Sequence, residues 1–173
     1  IHDRDPACPD LVTPFLFFKG WQALQVHRIA HHLWQKNRRH LAYHFQSRVN
    51  ELLAIDIHPA ARLGRRLSID HGTGIVIGET CIIEDDVSLF QGVTLGGTGK
   101  LSGNRHPIVR RGAMIGSGAK VLGRLIIGEN ARVGAASVVL EDIPANATAV
   151  GNPARILGTL KTAVSANPVH PAS

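Results

Sequence analysis

Cysteine and large aromatic residues are scarce in this sequence. The 173 residues include two cysteines, and Phe, Trp and Tyr together make up 5% of the chain. Cys8 and Cys81 have no metal-type spacing and are too few for a disulfide framework, so we expect two reduced thiols. With so few rings, the core must be built from smaller aliphatic side chains, for which an apolar content of 44% is sufficient.

Long apolar runs are also missing. No stretch approaches the roughly 20 apolar residues that cross a bilayer, and the segment "IHDRDPACPD" lacks the basic and apolar regions of a signal peptide. These features predict a cytoplasmic protein that does not bind a membrane.

The formal charge of +6 raises the question of a nucleic-acid partner. The densest basic cluster, "KNRRH" at residues 36–40, has no interleaved aromatic residues on which bases could stack. We therefore expect no nucleic-acid binding, because a small molecule that carries phosphate is an adequate anionic partner.

Two periods of apolar residues are present instead. Residues 14–52 carry apolar side chains at helical spacing, which predicts two helices broken near residues 36–38. From Ile57 the period becomes six. The six-residue series contains Ile57, Leu63, Ile69 and Ile75, then, after a two-residue slip, Ile77, Ile83, Leu89 and Leu95, and later Val109, Ile115, Val121, Ile127, Val133 and Val139. This period predicts a parallel β-helix, in which short strands stack around an aliphatic column.

The change of period divides the chain into three parts. We predict an α-helical segment at residues 1–52, a β-helix at residues 53–158 and a flexible tail at residues 159–173. Between Leu95 and Val109 the series has eight residues too many, so a loop at residues 96–107 must protrude from the coil. The fold class is thus mostly β, with a short helical region before the coil.

The protruding loop is unusual for a plain connection. It is rich in glycine and carries the cationic or titratable side chains of Lys100, Arg105 and His106. This composition favours a functional role for the loop.

Eight motifs along the chain resemble those of one enzyme family. They are "DRDPA", "KGWQALQVHRIAH", "DIHPAARLG", "IDHGTGIVIGE", "VTLGGTGK", "GNRHP", "MIGSGAKVLG" and "VGNPARILG". In this order and spacing, from about Ile1 to Gly158, the sequence is similar to the serine acetyltransferases, which make O-acetylserine for cysteine synthesis. The resemblance implies a left-handed coil of hexapeptide repeats with three six-residue faces per turn, and trimers with active sites between neighbouring chains.

The resemblance also implies roles for individual residues. His71 of "DHGTG" would be the general base and Asp56 of "DIHP" its orienting partner. Four residues would bind serine. Asp5 and Asp70 would contact its ammonium group, and Arg105 and His106 would contact its carboxylate. Acetyl-CoA, a co-substrate rather than a permanently bound cofactor, would lie in a groove lined by Gly97, Thr98, Ser117, Arg132 and Ala135.

The spacing of Asp56 and His71 agrees with their implied roles. If each coil has three faces of six residues, position 56 stacks under position 74. At ~3.3 Å per residue and ~4.8 Å between strands, Asp56 and His71 would then be on the order of 10 Å apart at Cα. A carboxylate at that distance could hold one ring nitrogen and leave the other as the base.

The implied chemistry needs no further group. A serine hydroxyl is a poor nucleophile at neutral pH, and general-base removal of its proton is worth about 10²–10⁴ in rate. The thioester is already activated, so neither a metal ion nor a covalent intermediate is required.

Other readings remain open at this stage. His106 could serve as a second base. The acceptor could be another hydroxyl compound, such as a sugar or an antibiotic. The coil could also be a zinc enzyme that uses His58, His71 and His106, although their spacing does not favour convergence, or a scaffold without catalytic activity.

The resemblance finally implies partners. Cysteine offers the same ammonium and carboxylate as serine and is expected to inhibit by feedback. A homotrimer is expected, with a hexamer possible where a larger helical N-terminal region is present. Tails that dock into cysteine synthase typically end in Ile, whereas this sequence ends in Ser173, so we expect no stable complex with that enzyme.

Overall fold

Three helices precede the coil in the computed structural model, which describes residue 10 and residues 12–99 and 102–159. They are α1 (Val12–Phe17), α2 (Lys19–Gln35) and α3 (Arg39–Leu53). The break between α2 and α3 falls at the predicted place, and Asn37 takes a left-handed φ of 57° there. None of the helices in the described part of the chain is both long and apolar enough to span a bilayer.

Within the described residues, fifteen short strands follow the helices. They are β1 (Ile55–Ile57), β2 (Arg62–Leu63), β3 (Ser68–Asp70), β4 (Ile75–Ile77), β5 (Ile82–Ile83), β6 (Ser88–Phe90), β7 (Thr94–Gly96), β8 (Ile108–Val109), β9 (Met114–Ile115), β10 (Lys120–Leu122), β11 (Ile126–Ile127), β12 (Arg132–Val133), β13 (Val138–Val139), β14 (Ala147–Gly151) and β15 (Ala154–Thr159).

The strands form three sheets, in which the neighbouring strands from β1 to β14 pair in parallel and lie one coil apart. Sheet A has the order β1-β4-β7-β10-β13, sheet B has β2-β5-β8-β11, and sheet C has β3-β6-β9-β12-β14-β15. Because the chain visits the sheets in the order A, B, C, it winds as a parallel coil of about five turns. The parallel β-helix predicted from the six-residue period is confirmed.

The coil has three corners, which we name after the sheets that they join. Corner AB contains the turns at residues 58–61, 78–81, 97–107 and 123–125. Corner BC contains the turns at residues 64–67, 84–87, 110–113 and 128–131. Corner CA contains the turns at residues 71–74, 91–93, 116–119 and 134–137.

The core is the aliphatic column inside the coil. The members of the predicted series that belong to it are at most 5% exposed, and they are Ile57, Ile69, Ile75, Ile77, Ile83, Leu89, Leu95, Val109, Ile115, Val121, Ile127, Val133 and Val139. Burial of each such side chain contributes roughly 1.5–3 kcal/mol of hydrophobic free energy. Leu63, in the first coil, is the member of the series that is only half-buried.

Helix α2 packs against the first coil near all three corners. At its N-terminal end, Gly20 lies so close to sheet C that an added Cβ would be 2.2 Å from the carbonyl oxygen of Ile69. Farther along, Arg28 donates to the carbonyl of Gly64 at corner BC over 2.9 Å. His31 Nδ1 lies 2.7 Å from the carbonyl oxygen of Pro59 at corner AB. The helix therefore links the corners that carry the candidate site residues.

The last strands depart from the parallel pattern. β14 and β15 form an antiparallel pair around a cis peptide bond between Asn152 and Pro153. The six-residue period gave no indication of this hairpin. The predicted tail beyond residue 159 lies outside the described residues.

Candidate active site

The turn at corner CA presents His71. It follows β3 and is left-handed at three positions, His71, Gly72 and Gly74, with φ of 55°, 80° and 76°. Glycine is required at position 72, because a Cβ there would be 2.7 Å from the Cδ1 atom of Ile55. The compact turn directs the His71 side chain outward, where 76% of it is exposed.

Charged and apolar groups surround His71 on one side. Asp70 Oδ1 lies 3.9 Å from His71 Nε2. Lys19 Nζ, at the start of α2, donates to the hydroxyl of Thr73 in the same turn. A pocket of about 500 Å³ opens here and is lined by Phe17, Phe18, Lys19, Gly20, Ile69, Asp70 and His71.

Asp56 lies on the outer side of sheet A, in β1. The expectation that position 56 stacks under position 74 is wrong, because Asp56 is paired with Val76. The two residues of the slip are accommodated in the turn before β4, where Gly72 N–H donates to Asp70 O over 2.6 Å. Asp56 Oδ1 accepts a hydrogen bond of 2.6 Å from Gln46 Nε2 of α3 rather than one from His71. Its role as the partner of His71 stays a prediction.

Corner AB holds Arg105 and His106, at the end of the protruding loop. Arg105 Nη2 donates to Glu79 Oε2 over 3.0 Å. His106 is 7% exposed, and its ring lies over Gly78, where an added Cβ would be 2.1 Å from the ring atom Cδ2. Arg124 Nη1 donates to the carbonyl oxygens of Thr80 and His106, over 3.2 and 3.1 Å. The loop end is therefore fastened to two adjacent coils.

The environment of His106 favours its neutral form. Burial lowers the pKa of His106, the positive charge of Arg105 lowers it further, and Glu79 opposes the shift. We therefore expect an uncharged ring at pH 7.

His58, the third residue of the zinc alternative, is part of the packing at corner AB. Its ring contacts the rings of Trp34 and Tyr43, with centroids 5.2 and 5.6 Å apart, and its Nδ1 accepts from Ala60 N–H over 3.1 Å. Burial lowers the pKa of His58 as well. In the part of the chain that the structure describes, no group of three potential ligands could hold a metal ion, and His71 lies at a different corner from His58 and His106.

The residues predicted to bind acetyl-CoA are divided between the same two corners. Gly97 and Thr98 follow β7 at corner AB, where Gly97 lies against the side chain of Arg105. Ser117 and Ala135 lie in turns of corner CA, and Arg132 is exposed on the outer side of sheet C.

The candidate serine-binding residues and the candidate acetyl-CoA-binding residues are therefore both divided between corners CA and AB. The three residues of β4 separate Gly74 at corner CA from Gly78 at corner AB, and the four steps between these glycines span about 13 Å at ~3.3 Å per residue. The structure brings Asp70 together with His71, and Arg105 with His106, but it does not bring the two pairs together within one chain. Asp5 lies outside the described residues.

Sequence reasoning missed the residues that support the loop end. Glu79 and Thr80 belong to the quoted motif "IDHGTGIVIGE" and the position after it, yet their importance depends on where the loop folds back. Arg124 lies one coil after the loop and two coils after Glu79 and Thr80. The one available signal was that two polar residues follow a glycine at the corner from which the loop protrudes.

Comparison with known proteins shows similarity over most of the chain. Residues 1–26 match the family description "Serine acetyltransferase, N-terminal". A serine acetyltransferase of Salmonella typhimurium is 56% identical over 158 residues, which is 91% of this chain and 58% of that protein. This chain belongs to the serine acetyltransferase family. It spans less than two thirds of the length of that relative.

Solved structures of serine acetyltransferases have the same fold. The Brucella abortus enzyme in complex with coenzyme A is 51% identical and has a TM-score of 0.91, over 92% of this chain and 64% of that one. The soybean enzyme in complex with serine is 52% identical with a TM-score of 0.88, over 90% and 64%. A complex of a serine acetyltransferase with cysteine is 54% identical with a TM-score of 0.90, over 91% and 62%.

Proposed function

We propose that this chain transfers the acetyl group of acetyl-CoA to the hydroxyl of L-serine, giving O-acetylserine and CoA. The observation that carries the proposal is the outward imidazole of His71 beside Asp70, in a chain 52% identical to a protein solved with serine. Relatives solved with coenzyme A and with cysteine support the same reaction and its place in cysteine synthesis.

The proposed mechanism is general-base catalysis by His71. The imidazole removes the proton of the serine hydroxyl as the oxygen attacks the thioester carbon, and the imidazolium then returns the proton to the departing thiolate of CoA. Proton removal of this kind contributes about 10²–10⁴ in rate. Asp56 orients and polarises the ring of His71. It does so either while it keeps its hydrogen bond from Gln46 or after that hydrogen bond has shifted.

Binding of serine is assigned to two groups of side chains. Asp70 and Asp5 receive the ammonium. Arg105 and His106 receive the carboxylate, and the guanidinium makes a charge-assisted contact. Acetyl-CoA extends along the groove lined by Gly97, Thr98, Ser117, Arg132 and Ala135.

The complete site lies between two chains of a homotrimer. Corner CA of one chain supplies the base, and corner AB of its neighbour supplies the carboxylate-binding residues. The split of both binding sets across sheet A supports this assembly, because a neighbour at the edge of the sheet closes a gap that one chain cannot.

Cysteine is proposed as a competitive inhibitor. It differs from serine by one atom and offers the same ammonium and carboxylate to the same four side chains. Raising the serine concentration should relieve the inhibition, and cysteine inhibition that serine does not relieve would contradict this placement.

Acetyl transfer to another hydroxyl compound is the second candidate. Binding of a sugar or an antibiotic does not require the cationic Arg105 and the acidic Asp70. These two charges suit the carboxylate and the ammonium of an amino acid, so serine is favoured. A cytoplasmic location and the lack of a stable cysteine synthase complex stay predictions from the sequence.

The decisive experiment measures acetyl-CoA consumption with serine, homoserine, a simple sugar and chloramphenicol as acceptors. We expect turnover with serine that greatly exceeds that with the other three. Preference for the sugar or for chloramphenicol would replace the proposal with the second candidate, and no turnover with any acceptor would favour a scaffold.

A further inference from the structure

The hydroxyl of Thr80 lies at the centre of the hydrogen bonds that hold the loop end. It has one hydrogen to donate and two lone pairs to accept with. Its Oγ1 accepts the backbone N–H of Arg105 over 3.1 Å and the backbone N–H of His106 over 3.2 Å. Both lone pairs are therefore in use. Its contact of 2.9 Å with His106 Nδ1 must then be a bond in which the hydroxyl donates.

The same ring nitrogen receives a second donor. The backbone N–H of Thr80 points at His106 Nδ1 over 3.2 Å. A nitrogen that accepts two hydrogen bonds carries no proton of its own, so a neutral ring must carry its proton on Nε2.

We propose that Thr80 is a positioning residue that fixes His106 as the Nε2–H tautomer, so that His106 donates a hydrogen bond to the substrate carboxylate and does not act as a second base. The part of this proposal that concerns the substrate rests on the proposed function. The assignment of the tautomer rests on the hydrogen bonds alone.

The surroundings of the ring prevent an easy exchange of its two nitrogens. The ring is buried against the backbone of Gly78, and Arg124 holds the carbonyl of His106 from the next coil. A base at this place would need a free lone pair on Nε2, but with Nδ1 as the acceptor Nε2 bears the hydrogen. Protonation of Nδ1 would break both bonds from Thr80 and would add a positive charge beside Arg105 and Arg124.

The tautomer is measured directly by NMR on the full chain labelled with ¹⁵N-histidine. Two-bond ¹H–¹⁵N correlations, assigned by comparison with His106→Gln, distinguish the two neutral forms and the imidazolium. At pH 7.5 we expect the Nε2–H pattern for His106. The Nδ1–H pattern or a charged ring would overturn the proposal, and either result would leave the proposed reaction untouched.

Two matched variants test the role of Thr80. Thr80→Val removes the hydroxyl at nearly constant shape, and Thr80→Ser retains it. For Thr80→Val we expect the Nε2–H signal to weaken or to exchange with the other tautomer, and the Michaelis constant for serine to rise about tenfold, the effect of roughly one lost hydrogen bond. The Michaelis constant for acetyl-CoA should stay within twofold. Thr80→Ser should restore both properties.

Variants of His106 separate donation from proton abstraction. His106→Gln places an N–H donor near the position of Nε2, whereas His106→Asn is too short to do so. We expect His106→Gln to retain serine binding better than His106→Asn and to leave the acid limb of the pH profile of kcat in place. Loss of that limb in His106→Gln, or an unchanged NMR spectrum and serine Michaelis constant in folded Thr80→Val, would overturn the proposal.

Discussion

Corners CA and AB prepare their candidate residues in opposite ways. At corner AB, His106 is 7% exposed and is held by Thr80, Gly78 and Arg124. At corner CA, the side chain of His71 is 76% exposed on a turn of small residues. The proposed carboxylate-binding donors are thus held in place without substrate, whereas the proposed base is exposed and, in the proposed trimer, is enclosed by a neighbouring chain. Preorganised donors avoid the cost of reorganisation during the reaction.

Helix α2 connects the two corners. Its first turn contacts corner CA through Lys19 and Thr73, and its middle contacts corner AB through His31 and Pro59. A change at one end of the helix can therefore be compared with a change at the other.

The largest effect is expected at corner CA. His71→Asn removes the proton acceptor but retains a side chain of similar size on an exposed turn, so the fold should persist. We expect kcat to fall by roughly 10²–10⁴, with little change in the binding of serine. Steady-state kinetics on the folded variant provides the measurement. Near-normal turnover would move the base elsewhere, with His106 as the first candidate.

Acid is expected to loosen α2 from corner AB. His27 is 5% exposed, its ring nitrogens face the backbone of His58 and Ala61 without forming hydrogen bonds, and burial, followed by the charge of His31, lowers its pKa to about 4. The unfolded chain binds this proton near pH 6.5, so the unfolding free energy is highest above pH 6.5 and falls as the pH drops toward 4. The total loss is about 3 kcal/mol.

Two variants on the same helix check this. His27→Leu should reduce the loss between pH 6.5 and 4 by the part that His27 contributes, as measured by urea unfolding at a series of pH values, while the part due to His58 and His106 remains. His32→Gln, an exposed position on α2, is the matched control and should retain the loss. The same pH dependence in His27→Leu and in the control would contradict the assignment.

A smaller effect is expected from the carboxylate-binding side. Arg105→Ala removes the guanidinium group that is proposed to contact the serine carboxylate. Glu79 already holds this group in position. The Michaelis constant for serine should rise roughly 10- to 100-fold, while that for acetyl-CoA changes little. Arg105→Lys keeps the charge without the planar fork, so its Michaelis constant for serine should lie between those of Arg105→Ala and the native chain. An equal rise for both substrates would indicate a collapsed loop rather than a lost contact.

The smallest effect is expected from Asp56→Asn. Asp56 accepts a hydrogen bond from Gln46, and under the proposed mechanism the substitution disturbs the orientation of His71 without removing the base. We expect kcat to fall by less than about tenfold, well short of the effect of His71→Asn. A loss as large as that of His71→Asn would show that Asp56 is indispensable to the base.

The sequence predicted the coil because each inward position must be aliphatic on every turn, as the series from Ile69 to Val139 is. It did not predict the pairing of Asp56 with Val76. The six-residue period does not show whether two extra residues lie in a strand or in a turn. The hairpin of β14 and β15 escaped for a related reason, because it leaves the repeat.

The candidate site was predictable only in part. His71, Arg105 and His106 were found because their motifs resemble those of a known family. The hydrogen bonds of Thr80 were not, since they depend on where a protruding loop returns to the coil. The resemblance implied a site between neighbouring chains, but the two corners that carry its candidate residues were identified only once each residue had been placed on a turn.

The shared site is tested most directly by mixing two impaired chains and measuring turnover at a serine concentration below the native Michaelis constant. His71→Asn has an intact corner AB, and Arg105→Ala, or the double variant with His106→Asn, has an intact corner CA. In cyclic trimers formed at random from equal amounts by co-expression, about a quarter of the interfaces join the two intact corners. We therefore predict that the co-expressed preparation as a whole regains about a quarter of the native turnover. Mixed trimers no more active than the two parents would contradict the account, because the complete site would then lie within one chain.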